Sequence, residues 1–137
     1  MMHDALPVTS GLFALEKDGQ GSLIGGYCSG CSQYHFPRLP TCPYCSASGC
    51  AERPLSRCGS LYLHTVVRNR PPGYRGDIPF GFGVVELPEG LRIISRLTEA
   101  NLERLRFGMS MELVFTRLHR DDEGREVISY AFAPVPV

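Results

Sequence analysis

Two cysteine pairs constrain this chain more than anything else in it: Cys28-Ser-Gly-Cys31, then Cys42-Pro-Tyr-Cys45 after ten intervening residues. A tight turn between the two thiols of a pair lets both sulfurs face one ion, with turn N–H groups aimed at them. Gly30 gives the first turn its freedom. Pro43 stiffens the second and removes a competing N–H. Four thiolates with no histidine or carboxylate predict a closed tetrahedral zinc with no vacant position for water, hence a structural rather than a catalytic metal. One zinc per chain is expected. A redox Cys-x-x-Cys normally comes as a single pair beside a βαβ pattern, and no such pattern is visible. Iron of the rubredoxin type fits the same sulfur cage and stays open as an alternative. Cys50 and Cys58 fall outside the spacing and read as small buried hydrophobes or inert thiols.

A structural zinc needs something to hold in place. The 137 residues suffice for one compact domain or two small ones, and 43% hydrophobic content supports a packed core. The formal net charge is zero, which argues against a general nucleic-acid binder, whose affinity rests on neutralising many phosphates. Thirteen of the fourteen basic residues are arginine. Arginine suits bidentate phosphate and carboxylate contacts, although a GC-rich genome gives the same bias. His3 and Asp4 interrupt the start, no signal peptide is evident, and no apolar run approaches the ~20 residues that span a bilayer. With free thiols expected, a cytoplasmic setting away from membranes follows.

Three regions are predicted. Residues 1–21 form an arm with a short helix from Gly11 to Lys17, capped by Ser10 and packed through Leu12, Phe13 and Leu15. Residues 22–57 form the zinc ribbon and a linker: strand 22–27, the first knuckle, a return strand at 34–36, the second knuckle, then a polar stretch over 46–57. So small a module has almost no core, and metal binding supplies roughly 10–16 kcal/mol of folding free energy in comparable peptides. From residue 58 to 137 the pattern has period two. Strands are expected at 59–67, 80–87, 91–97, 109–118 and 127–132. In the first, Leu61, Leu63, Thr65 and Val67 share one face, and Tyr62, His64 and Val66 the other. Gly81 and Gly83 suit close backbone approach. A short helical element over 100–105, capped by Thr98 or Asn101, follows the third strand. The fold class is mainly β: zinc ribbon, then a five-stranded OB-fold barrel.

The most unusual stretch after the cysteines is the loop 68–79. It carries Arg68, Arg70 and Arg75 against Asp77, with Pro71-Pro72 to stiffen it and Tyr74 to offer a flat ring. Such a loop can grip a nucleotide diphosphate, grip acidic residues of a partner, or simply be solvated with its arginines paired to surface carboxylates. No catalytic set is evident. Tyr62 and His64 lie near the loop, and His64 reads as a hydrogen-bonded barrel histidine. Asp121-Asp-Glu123 reads as a solvated hairpin tip, with a metal site shared with His119 as the alternative.

These residues together resemble the rubredoxin-like zinc-ribbon plus acyl-CoA-associated OB-fold proteins that accompany thiolases. The four cysteines enclose Phe36-Pro-Arg38. Gly59-Ser-Leu-Tyr-Leu-His-Thr-Val-Val67 is similar to a family strand. Arg70-Pro-Pro-Gly-Tyr74, Pro79-Phe80, Val84-Val-Glu-Leu-Pro-Glu-Gly90 and Arg106-Phe-Gly-Met-Ser-Met-Glu-Leu-Val-Phe115 complete the ordered set, which covers residues 12–134. Leu63 and His64 depart from commoner residues. The resemblance implies a non-catalytic subunit that packs on a thiolase-fold large subunit, in a hetero-oligomer such as α2β2, and helps build a site for CoA or acyl-CoA. It makes Arg68, Arg70, Pro71, Pro72, Tyr74 and Arg75 the candidate CoA- or partner-binding residues. A benzoylsuccinyl-CoA-type thiolase is one partner within that class. A module binding single-stranded nucleic acid and an autonomous acyl-CoA enzyme such as a thioesterase are the competing readings.

Overall fold

The computed structural model describes residues 6–7, 12–15 and 21–135. Among the described residues ten strands run in chain order: β1 (Leu6–Pro7), β2 (Phe13–Leu15), β3 (Gly21–Cys28), β4 (Gln33–His35), β5 (Ala51–Pro54), β6 (Cys58–Val67), β7 (Phe80–Glu86), β8 (Arg92–Leu97), β9 (Ser110–Arg120) and β10 (Glu126–Pro134). A 3-10 turn at Leu102–Arg104 lies between β8 and β9, with the Asn101 side chain accepting from the Glu103 N–H as its cap.

Strands β6 to β10 form the OB barrel. β6, β7 and β8 are successive antiparallel neighbours. β8 meets β10 in parallel, β10 pairs with β9, and β9 returns to β6 to close the circuit. Closure leaves no long edge for another chain to pair with. β1 adds to β10 in parallel. The core is built by inward residues that alternate along all five strands, among them Leu61, Val85, Ile93, Met111, Leu113 and Phe132.

The N-terminal sheet is the ribbon: β3 is central, with β2, β4 and β5 paired to it antiparallel. Two expectations change here. The helix predicted from Gly11 to Lys17 is replaced at Phe13–Leu15 by a strand on β3; its remaining residues, Leu12 apart, lie outside the described ones. Local spacing of Leu12, Phe13 and Leu15 fits either period in so short a run, and β3 supplies the partner that decides. The polar stretch 46–57 is not all linker. Ala51–Pro54 pairs with Ile24–Tyr27 as β5. Its four side chains are exposed, so no burial pattern marks it.

The ribbon and the barrel share one core. Leu23 of β3 and Leu55 after β5 belong to the same buried cluster as the barrel residues. Arg57 ties the halves by donating to the carbonyls of Gly21 and of Leu113, the latter at 3.0 Å. Glu89, in the turn between β7 and β8, accepts from the Ser56 N–H at 2.7 Å and its hydroxyl at 3.0 Å.

A third expectation is reversed midway along β6. Leu61 opposes Val85 and Leu63 opposes Val84, so the strand bulges at Tyr62. One extra residue flips every later side chain to the other face. Leu61 is fully buried, but Leu63 is 58% exposed and Thr65 is exposed with it, while His64 and Val66 turn towards the barrel. The glycines of β7 behave as expected. A Cβ on Gly81 would lie 2.0 Å from the Glu99 carbonyl oxygen, and one on Gly83 2.2 Å from that of Leu63.

Candidate metal centre and the arginine loop

Each cysteine pair is set by a matched knuckle. The Ser32 N–H donates to the Cys28 carbonyl at 2.7 Å, and the Ser46 N–H to that of Cys42 at 3.0 Å. Both serines take the left-handed conformation, at φ 58° and 67°, which turns the chain back past the sulfurs. The first knuckle leaves β3 directly; the second is held by the Cys42 N–H donating to the Ala47 carbonyl at 2.8 Å.

The four sulfurs meet at one point. Cys28 Sγ lies 3.5 Å from Cys45 Sγ, and Cys31 Sγ 3.7 Å from Cys42 Sγ. All four lie within 4.8 Å of one another. A tetrahedral zinc with Zn–S bonds of about 2.3 Å needs sulfur–sulfur edges of about 3.8 Å, so the donor set fits the ion in size and in type. Among the described residues no other group of three or more His, Cys, Asp or Glu side chains closes on a point in this way. The acidic run with His119 does not: His119 Nδ1 pairs with the Arg120 carbonyl at 2.9 Å, and Asp121 is spent on its own turn.

The environment separates the thiols into two kinds. The backbone N–H of Cys31 leads in lowering the Cys28 thiol to about 6, assisted by the neighbouring thiols and by Gly30. Burial leads in pushing Cys31 up to about 12, with the neighbouring thiols adding to it. At Cys42 burial acts upward but the N–H groups of Cys45 and Tyr44 outweigh it, so the thiol ends lower than usual. Peptide dipoles aimed at a sulfur favour its thiolate, the form a metal takes. Cys50 is buried against Cys28 and Cys42, and burial pushes its thiol up, the behaviour of a packing residue. Cys58 is exposed.

His35, which sequence reasoning places only within the return strand, orders the segment between the knuckles. It is 2% exposed. Its Nε2 accepts from the Leu39 N–H at 3.0 Å, which bends residues 36–39 back over β4. A Cβ on Gly26 would lie 2.2 Å from that nitrogen, so the ring lies directly on the Gly26 backbone. The paired glycines Gly25-Gly26 inside a strand were the available signal.

The arginine loop spends some of its polar groups on its own shape and on the barrel. Arg70 donates to the Gly76 carbonyl and lies 5.8 Å from the Tyr74 ring centre, so it builds the loop. Tyr74 donates to the Asp77 carbonyl at 2.8 Å and packs on Phe80 with ring centres 4.6 Å apart. That contact lays the loop on the barrel. Pro71 accepts from the Tyr74 N–H at 3.1 Å in the turn that Pro72 and Gly73 complete. Arg75 reaches Asp122 at 3.4 Å across solvent. Arg68 has no hydrogen bond or ion pair to a described residue. Arg70 and Arg75 are thus held by different partners, Arg70 within the loop and Arg75 at the β9–β10 hairpin. Tyr62 packs under the Arg92 guanidinium, 3.9 Å from its ring centre.

This chain matches two family models: "ChsH2, rubredoxin-like zinc ribbon domain" over residues 16–49, and "ChsH2, C-terminal OB-fold domain" over residues 52–116. It is 34% identical over 125 residues to the benzoylsuccinyl-CoA thiolase subunit BbsA of Thauera aromatica, covering 90% of this chain and 85% of that one. It is 32% identical over 114 residues to a DUF35 domain-containing scaffold protein of Pyrococcus furiosus, covering 82% and 83%. The Ltp2-ChsH2(DUF35) aldolase structure superposes with a TM-score of 0.65 at 24% identity over 82% of this chain and 84% of that one, a likeness of fold. The closed four-cysteine knuckle and the barrel built onto it are thus one shared arrangement, and the chain belongs to the ChsH2 family of rubredoxin-like zinc-ribbon and OB-fold proteins.

Proposed function

We propose that this chain is a non-catalytic accessory subunit of a thiolase-type acyl-CoA enzyme. The observation that carries the reading is the end-to-end similarity to a thiolase subunit, 34% identity across 90% of this chain. The site chemistry agrees with it. A cage of four thiols closed on one another offers a metal no vacant position for substrate. Cys28, Cys31, Cys42 and Cys45 hold one structural zinc, and the ion shapes the ribbon while taking no part in turnover.

In this reading the partner is a thiolase-fold large subunit, in a hetero-oligomer such as α2β2 and in the cytoplasm. The loop 68–79 faces the CoA or the partner. Arg70, Pro71, Pro72 and Tyr74 give it shape, and Arg68 and Arg75 keep charges at the surface for phosphates or for acidic partner residues. The test is co-purification. Tagged full-length chain, expressed with the thiolase-like protein of its own genome, is expected to bring that protein down in a fixed ratio, read by native mass spectrometry. The chain alone is expected to cleave no 3-oxoacyl-CoA. Recovery of the chain without any thiolase-fold protein, or carbon–carbon cleavage by the chain alone, overturns the reading.

A further inference from the structure

A fifth cysteine lies against the cage. Cys50 is 4% exposed and shares one buried cluster with Cys28 and Cys42, with Cys31 and Ala47 packed on it. The backbone sets its place there. The N–H groups of Gly49 and Cys50 both donate to the Pro40 carbonyl, at 3.0 and 3.3 Å. Arg38 donates to the Cys50 carbonyl at 3.3 Å, and a bridge between Thr41 and Ser48 closes the same small loop. Residue 50 is thereby held beside the stretch that leads into Cys42. The thiol itself is barely engaged. It donates to the Ala47 carbonyl at 4.0 Å, and among the described residues no N–H donates to its sulfur.

The cage is not equally protected on all sides. Cys28 and Cys42 are buried and Cys31 is half-buried, whereas Cys45 is exposed. Cys45 is the ligand that an electrophile in solvent meets first. A four-coordinate zinc that loses one thiolate is left with an open position. Water can fill it from outside. Cys50 can fill it from inside, because it rests on two of the three thiols that remain. We propose that Cys50 is a reserve metal ligand, which takes the place of Cys45 when that sulfur is lost to the metal. The exchange balances: the Cys45 sulfur leaves with a proton or a covalent adduct, Cys50 gives up its own proton to solvent, and four thiolates hold the ion before and after. A small apolar side chain would fill the same volume, but only a sulfur restores the donor set in kind. The reserve serves Cys45 and not Cys42, whose sulfur is part of the surface on which Cys50 rests. The inference rests on the reading of the four cysteines as a zinc site.

The test compares zinc binding by the full-length wild type, Cys45→Ser, Cys50→Ala and the double variant, read by elemental analysis and by competition with a chromogenic chelator. Cys45→Ser is expected to keep its zinc and to lose no more than ~tenfold in affinity, and removal of Cys50 as well is expected to weaken binding a further ~hundredfold. Cys50→Ala alone is expected to match the wild type. Cobalt(II) loaded in place of zinc counts the thiolates through its sulfur-to-metal absorption, which is expected to be that of four in Cys45→Ser and of three in the double variant. A second arm leaves Cys45 unmutated. Zinc-loaded wild type and Cys50→Ala are alkylated with iodoacetamide, and peptide mapping follows the reaction at Cys45. As Cys45 reacts, zinc is expected to stay in the wild type and to leave Cys50→Ala. Equal affinities for Cys45→Ser and the double variant, a three-thiolate spectrum in Cys45→Ser, or equal zinc loss from both alkylated chains overturns the reserve role and leaves the four-cysteine zinc standing. A wild type that takes up no zinc sinks both.

Discussion

Each zinc knuckle ends on a serine in the left-handed conformation, and each buries one thiol while leaving its partner nearer solvent. Cys28 and Cys42 are the buried members, and Cys45 is exposed. Removing a buried ligand therefore costs both a bond to the metal and packing. Cys42→Ser is expected to lose zinc, with elemental analysis falling from one ion per chain to well below half. A serine hydroxyl is a hard, protonated donor that does not replace a thiolate at zinc. Cys50→Ala is expected to retain the metal in full, because Cys50 packs against the cage without joining it. At Gly81 the demand is purely steric. The strand crosses the Glu99 carbonyl so closely that any Cβ collides with backbone, and Gly81→Ala is expected to cost roughly 1–3 kcal/mol, read by urea unfolding.

At the scale of elements, the β9–β10 hairpin depends on its tip. Asp121 Oδ1 accepts from the N–H groups of Glu123 and Arg125 at 3.0 and 2.8 Å, and Oδ2 takes the Arg125 guanidinium at 2.9 Å. The Arg125 N–H leads in holding the carboxyl below its ordinary value of 3.8. A carboxyl lowered in the folded state contributes stability above its unfolded value and loses it as pH falls through the folded one. Asp121→Asn is therefore expected to lower stability at pH 7 and to narrow its gap from the wild type below about pH 4, followed by thermal melts across pH. β5 shows the limit of local reading at this scale. Ala51–Pro54 has neither alternation nor burial; it is a strand because β3 offers it an unpaired edge. The bulge at Tyr62 is the same kind of fact. The alternating pattern of β6 continues without a break in the sequence, and the extra residue becomes visible only against β7.

For the whole molecule, the shared core matters most. Leu23 and Leu55 come from the ribbon and are buried in the barrel's own cluster, so the two halves do not melt as strangers. Leu55→Ala is expected to cost about 2–5 kcal/mol. Stripping zinc with a chelator is expected to lower the stability of barrel and ribbon together, seen as one shifted transition by far-UV circular dichroism and by tyrosine fluorescence. Two separated transitions would mean that the halves fold independently. The outward face of β7 and β8 is also a property of the whole. Phe82, Ile94 and Arg96 are ordinary period-two positions in the sequence, and only barrel closure brings them beside Tyr130, Leu118 and Tyr74 to line a trough.

The sequence by itself determined the metal cage, the five barrel strands and their order, and the family. Ligand spacing is local geometry, and the periodicity of a half-buried strand survives without its neighbours. It could not determine which arginines are free. Arg70 turns inward to a carbonyl, Arg96 is pinned by Thr116, and Arg117 stands open, though all three look alike as residues in a strand or a loop. The reason is physical. A guanidinium is committed or available according to the acceptors that folding brings within about 3 Å of it, and those acceptors lie six and twenty residues away in the chain, where no local pattern records them.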